Sequence, residues 1–141
     1  MILIIVDASI LFPFFKPRSF TRYLVKYIFL RGARFIVPEY ALDELYDLKE
    51  KICEFCDITE TEFTQIFSLL NEIIEVVPRS EFKKYESEAL KLLPDHTKDM
   101  PYFALALSSD CAIWSAEKRF KQQSKVKIYS TDDIKKLFDI V

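Results

Sequence analysis

Met1-Ile2-Leu3-Ile4-Ile5-Val6-Asp7 opens the chain: six apolar residues in a row, closed by an acid. The run is too short to cross a bilayer, and its β-branched Ile2, Ile4, Ile5 and Val6 favour an extended backbone. It therefore predicts a strand buried on both faces, the kind found inside a parallel sheet. Open α/β sheets bind ligands in the crevice outside the carboxyl ends of their strands. A carboxylate at that edge is costly to desolvate unless a cation or hydrogen-bond donors meet it. Asp7 thus marks a candidate site, and Glu44, Asp99 and Glu117 stand where they can join it.

Apolar runs and amphipathic stretches alternate along the rest of the chain. Tyr23, Leu24, Tyr27 and Ile28 have a helical period over residues 21–31, and Gly32 is placed to end that helix. Phe35-Ile36-Val37 predicts a second strand, with Pro38 opening a helix through Leu42, Leu45 and Leu48. Thr59 and Glu62 have capping-box spacing, ahead of a face made by Phe63, Ile66, Phe67 and Leu70. Residues 73–77 predict a third strand stopped by Pro78. Ser80 is expected to cap a charged helix ending before Pro94, and Asp99 to open one through Phe103, Ala106 and Leu107. Residues 111–114 and 126–129 predict two more strands, separated by a short helix over 117–121. Ser130 or Thr131 caps a last helix through Leu137 and Phe138. Strands alternating with helices imply right-handed crossovers. The expected fold is α/β, a three-layer α/β/α sandwich around a mainly parallel five-stranded sheet. With no repeat or linker in view, residues 1–141 are expected to form a single domain.

Half of the 141 residues are hydrophobic and 15% are aromatic, which suits a packed core and not a disordered chain. Net charge is −2, so there is no overall basic field and any nucleic acid must be met by a local patch. The lone glycine, Gly32, excludes a Walker P-loop and a G-x-G-x-x-G dinucleotide turn. Cys53-x-x-Cys56 lies inside a helical segment, not at a helix start after a strand. His96, the only histidine, lacks partners for a structural zinc site, so reduced thiols are expected. No apolar stretch is long enough to span a membrane, and the N-terminal run lacks the basic region and processing site of a signal peptide. A cytoplasmic location is expected.

Each acid also has a plainer reading. Asp7 serves as the start of a turn, Glu44 as a solvated helix residue beside Asp43 and Asp47, Asp99 as an N-cap, and Glu117 as a carboxylate at a helix dipole. Taken together they favour a site, because three of the four follow a strand end or open a helix there.

The order of motifs resembles that of PIN-domain ribonucleases across essentially the whole chain. Val6-Asp7-Ala8-Ser9-Ile10-Leu11 is similar to the opening signature, and Val37-Pro38-Glu39-Tyr40-Ala41-Leu42-Asp43-Glu44-Leu45 to the second motif. Asp95-His96-Thr97-Lys98-Asp99-Met100-Pro101-Tyr102-Phe103-Ala104-Leu105-Ala106-Leu107 resembles the third. Ile113-Trp114-Ser115-Ala116-Glu117-Lys118-Arg119-Phe120 resembles the last. The resemblance implies a metal-dependent endoribonuclease acting on single-stranded RNA. Asp7, Glu44 and Asp99 would be the main ligands, Glu117 the weaker fourth, and Ser115 would orient a ligand or water, or else cap the following segment. Oxygen-only ligands suit Mg²⁺ or Mn²⁺. Clustered carboxylates repel one another and favour a cation, and a bound metal needs no histidine as base.

Three positions depart from the pattern. Glu117 stands where the last motif usually has Asp, one methylene longer. Ser9 stands where Asn is common, with a hydroxyl that can orient Asp7 or a metal-bound water. Asp95 is an additional acid, read as shaping the turn before the helix. Haloacid-dehalogenase-like phosphatases also place Asp after the first strand, but they need a second two residues on, where this chain has Ser9.

The resemblance leaves two enzyme roles open, the toxin of a VapC-type toxin–antitoxin pair, with an antitoxin protein as partner, and an RNA-processing enzyme. A catalytically inactive scaffold that binds RNA or protein is the alternative. Lys16, Arg18 and Arg22, interleaved with Phe14, Phe15 and Phe20, and also Lys118 and Arg119, are candidates for holding RNA. The competing reading places the phenylalanines in the core or a dimer face and the bases in solvent. A homodimer is expected, as in many family members, since Leu11 to Phe15 would be hard to leave exposed.

Overall fold

The computed structural model describes residues 2–140; Met1, the first residue of the opening apolar run, lies outside them. The five strands are β1 (Leu3–Val6), β2 (Arg34–Pro38), β3 (Ile74–Val77), β4 (Ala112–Trp114) and β5 (Ile128–Tyr129). They form one sheet in the order β3-β2-β1-β4-β5, and every pairing is parallel. The chain steps outward from β1 through β2 to β3, then returns across the sheet to β4 and β5. The direction of winding therefore reverses between β1 and β4, and this switch point opens a crevice at the carboxyl ends of those strands.

Alternation along each strand sorts the core into two layers. Ile4, Val6, Phe35, Val37 and Trp114 point into one hydrophobic cluster, and Ile5, Ile36 and Ile113 into the other. The first is covered by α1 (Ala8–Leu11), α2 (Phe20–Leu30), α3 (Ala41–Asp47), α4 (Lys49–Cys56), α5 (Glu60–Ile73) and α8 (Thr131–Leu137). The second is covered by α6 (Glu86–Leu92) and α7 (Met100–Ser109), with Phe120 and Val126 from the β4–β5 connection. The result is the expected α/β/α sandwich. Among the described residues no helix is long and apolar enough to cross a membrane.

Several local expectations shift. Pro38 ends β2 instead of opening a helix, and α3 starts at Ala41 after Tyr40 takes a left-handed φ of 73°. That single turn swings the chain from sheet to helix. Ser80 caps nothing: two 3₁₀ turns, Arg79–Glu81 and Lys83–Tyr85, precede α6 at Glu86. The segment after β4 is likewise a 3₁₀ turn, Lys118–Gln122. α1 has only four residues, too short to produce a periodic signal. Gly32 terminates α2 with φ +98° as its position implied. Cys53 and Cys56 lie within α4, and all three cysteines are free.

The Thr59–Glu62 capping box is complete. Glu62 N–H donates to Thr59 Oγ1 at 3.1 Å and Thr59 N–H to Glu62 Oε1 at 2.9 Å. Thr59→Ala is expected to cost about 1 kcal/mol of stability. This would appear as a lower urea midpoint at unchanged m-value; an unmoved midpoint would mean that the box contributes nothing.

Candidate functional site

Strand register builds the centre of the site. Val6 pairs with Trp114, so the next residues, Asp7 and Ser115, leave the sheet side by side at the switch point. Asp7 N–H donates to the Trp114 carbonyl at 3.3 Å, and Ser115 N–H to the Tyr129 carbonyl at 3.0 Å. Among the described residues, Asp7 and Ser115 are the only polar side chains that are buried, at 4% and 3% exposure.

Two hydroxyls grip the Asp7 carboxylate. Ser9 Oγ donates to Oδ1 at 2.6 Å and Ser115 Oγ to Oδ2 at 2.9 Å. Each serine oxygen in turn accepts a backbone N–H, Ser9 from Ala116 at 2.9 Å and Ser115 from Glu117 at 3.0 Å. The two oxygens lie 3.4 Å apart, but each has one proton and both protons are already directed at Asp7. Asp7 also caps α1, accepting from Ser9 N–H at 3.2 Å. Its turn-starting and site-forming readings therefore coexist in one carboxylate. Ser115 orients Asp7 and accepts from Glu117 N–H, but it does not cap the following 3₁₀ turn, whose N-cap is Glu117 and which carries no side-chain cap bond. Burial pushes the Asp7 carboxyl from 3.8 up to about 6, against the lowering effect of the serine hydroxyls and with a smaller upward contribution from Glu117.

Asp99 and Glu117 join through a residue whose part here the sequence did not reveal. Arg119 Nη2 donates to Asp99 Oδ2 at 2.7 Å, and Nη1 to Glu117 Oε2 at 2.8 Å. Neither acid makes a side-chain cap bond to its own turn, so both carboxylates face the guanidinium. Arg119 Nε is buried without a partner, an omission worth about 1–3 kcal/mol for a buried donor. Arg119 lies two residues after Glu117 in the last motif; that adjacency was the only signal, and it suggested phosphate binding instead.

Glu44 sits in the first turn of α3 and is solvent-exposed. Among the described residues no side-chain hydrogen bond or ion pair joins it to the other acids; it shares with them only its field at Tyr102, one turn after Asp99 on α7. Burial raises the Tyr102 hydroxyl's pKa, and the negative charges of Asp7, Glu44 and Asp99 raise it further. Asp95 lies in an exposed turn before α7. Phe14 and Phe15 are fully buried core residues and offer no stacking face, whereas Phe20 is half exposed. Arg22 directs Nη1 at two backbone carbonyls, of Phe14 at 2.6 Å and of Lys16 at 3.2 Å.

All of these donors are oxygens, which fits Mg²⁺ or Mn²⁺ by chemical type. As the side chains stand, no group of three or more His, Cys, Asp or Glu among the described residues is placed to hold a metal ion. Arg119 already bridges two of the acids that would hold such an ion, Asp99 and Glu117. A 710 Å³ cavity beside Leu3, Tyr85, Ala106, Cys111 and Lys127 lies at the opposite, amino edge of the sheet, away from this chemistry.

A family model described as PIN domain matches residues 5–138. No curated protein matches the chain. Among solved structures, PAE2754 from Pyrobaculum aerophilum superposes with a TM-score of 0.68 at 15% identity, covering 98% of this chain and 90% of its own. VapBC2 from Rickettsia felis, solved bound to a DNA fragment from its promoter, gives 0.71 at 10% identity over 92% and 98%. VapBC-1 from nontypeable Haemophilus influenzae gives 0.63 at 14% identity over 92% and 98%.

The raised Asp7 pKa carries a signed consequence for stability. The folded state binds this proton more tightly than the unfolded chain does, so the group opposes folding as pH rises from about 3.8 through about 6. In chelator, wild type is expected to lose about 2–3 kcal/mol of stability relative to Asp7→Asn as pH rises from about 4 to above 6. The offset between the two at low pH reflects the hydrogen bonds that the amide cannot accept. Parallel stability curves for the two proteins across pH 4–8 would contradict the assignment.

Proposed function

The chain belongs to the PIN-domain family, and from that premise we propose that it is a metal-dependent endoribonuclease that cuts single-stranded RNA. PIN-domain proteins are generally nucleases that use divalent metals. The observation that carries the reading is the convergence at the switch point: a buried Asp7 fixed by two serines, with Asp99 and Glu117 drawn together at one guanidinium.

Asp7, Asp99 and Glu117 would hold Mg²⁺ or Mn²⁺, with Glu44 reaching in from α3 as the outer member. When bound, such an ion lowers the pKa of a coordinated water and offsets charge that builds on a phosphodiester. Ser9 and Ser115 fix the direction of Asp7, leaving it little rotational freedom to lose on ligation. The same two hydroxyls stabilise its ionised form against the cost of burial. Tyr102, largely buried on α7, has its hydroxyl in the field of Asp7, Glu44 and Asp99. Exposed Lys16, Arg18 and Lys118 supply cations for phosphates along a strand.

Two of the similar structures are VapBC complexes. On that likeness the chain is the toxin member of a toxin–antitoxin pair, with an antitoxin protein as partner, acting in the cytoplasm. The Leu11–Phe15 stretch that suggested a homodimer folds inward, with Leu11, Phe14 and Phe15 buried in the core, so a homodimer would instead use the outer face of α2, where Phe20, Tyr23 and Leu30 are exposed at 51%, 61% and 82%. A catalytically inactive RNA- or protein-binding scaffold is the second reading, favoured by Arg119 already satisfying two of the acids.

Cleavage of single-stranded RNA should require Mn²⁺ or Mg²⁺, stop with chelator, and fall by about a hundredfold or more in Asp7→Asn and Asp99→Asn. If wild type and both variants are equally inactive across varied RNAs and none binds metal, the scaffold reading replaces the enzyme.

A further inference from the structure

Arg119 bridges carboxylates from two separate parts of the chain. Asp99 stands at the amino end of α7, and Glu117 follows β4 on the far side of the return crossing. The same guanidinium feels Asp7, whose charge adds to those of Asp99 and Glu117 in favouring its protonated form. One positive charge thus sits among three acids that the preceding reading assigns to a divalent cation.

We propose that Arg119 is an internal competitor for that cation, so that metal binding and the Arg119 bridge exclude each other. This rests on the metal centre described under Proposed function. Asp99 Oδ2 and Glu117 Oε2 already accept short charge-assisted bonds at 2.7 and 2.8 Å. A cation held by both carboxylates would stand close to the guanidinium, two positive charges competing for the same oxygens, a repulsion that solvent at the part-exposed Arg119 and Glu117 lessens without removing.

The bridge is also built to open. Arg119 is carried by the short 3₁₀ turn Lys118–Gln122, not by a long helix, and a third of its side chain is solvent-accessible. Its Nε is buried with no acceptor, so swinging outward would hydrate a donor that the bridged state leaves unsatisfied. An arginine serving only as a fixed strut would be expected to satisfy that donor too. By reciprocity, whatever the bridge takes from cation affinity, the cation takes from the bridge. The site would then remain closed until free divalent cation is high enough to displace its own arginine.

The test is direct Mn²⁺ affinity, by calorimetry and by the electron paramagnetic resonance of free Mn²⁺, without RNA. The proteins are wild type, Arg119→Ala, Arg119→Lys and Asp7→Asn, each first shown to unfold cooperatively. Arg119→Ala should bind Mn²⁺ about tenfold more tightly, ~1.4 kcal/mol. Arg119→Lys, which keeps the charge but cannot bridge two carboxylates with one planar fork, should fall between. Unchanged or weaker binding in Arg119→Ala, with wild type still binding and Asp7→Asn impaired, would overturn the competition. Arg119 would then be a positioning residue that holds the acids ready, and the metal centre would stand. Absence of Mn²⁺ binding in wild type and Arg119→Ala alike would overturn the metal centre itself, and the competition with it.

Discussion

A buried carboxylate held by two serine hydroxyls is the constraint around which this molecule is arranged. Asp7 is almost fully removed from water, and burial alone would favour its neutral form. What makes the charge tolerable is the parallel register of β1 and β4, which delivers Ser115 to one oxygen while the first turn of α1 delivers Ser9 to the other. Both serines are then pinned by backbone N–H groups from the segment leading to Glu117. A slip of one residue between β1 and β4 would turn Asp7 toward the wrong layer and undo the two bonds that join the segments, Ser115 Oγ to Asp7 and Ala116 N–H to Ser9 Oγ.

The layers and the strand order of events were legible because the chain alternates buried runs with amphipathic stretches, and because a six-residue apolar opening can scarcely be anything but a central strand. The Thr59 and Ser130 caps were legible for the same local reason: each side chain bonds its own neighbouring backbone. Pro38 and Ser80 misled because their residue types are compatible with more than one local geometry. Pro38 fits a strand end as well as a helix start, and the left-handed turn at Tyr40, a residue with no special preference for it, leaves no compositional trace. The 3₁₀ turns around Arg79 to Tyr85 carry too few residues to show a period.

At the site, residue type and place along the chain pointed to Asp7, Asp99 and Glu117, since each stands after a strand or at a helix start, whereas Ser115 entered only through the resemblance of the last motif. What they did not contain was the partner of Asp99. Arg119 and Asp99 are twenty residues apart, and the contact exists only because the chain crosses back over the sheet between them. Glu117 shows the same limit in another way. Its carboxylate, one methylene further out than that of the usual Asp, bore on how a metal would be held, and in the structure it meets the guanidinium two residues further along. For Phe14 and Phe15 the plainer reading, core or a dimer face, resolves to core through packing against each other and against Phe63.

Tyr102 touches both hydrophobic clusters, one on each side of the sheet, while its hydroxyl lies in the field of Asp7, Glu44 and Asp99. It is therefore a mechanical coupling between two halves of the interior that otherwise meet only through the strands. A shift of α7 against the sheet moves Tyr102 and Asp99 as one body, because they lie a single turn apart on rigid backbone. Repacking on either layer, even far from any carboxylate, would thus be transmitted to the spacing of the acids.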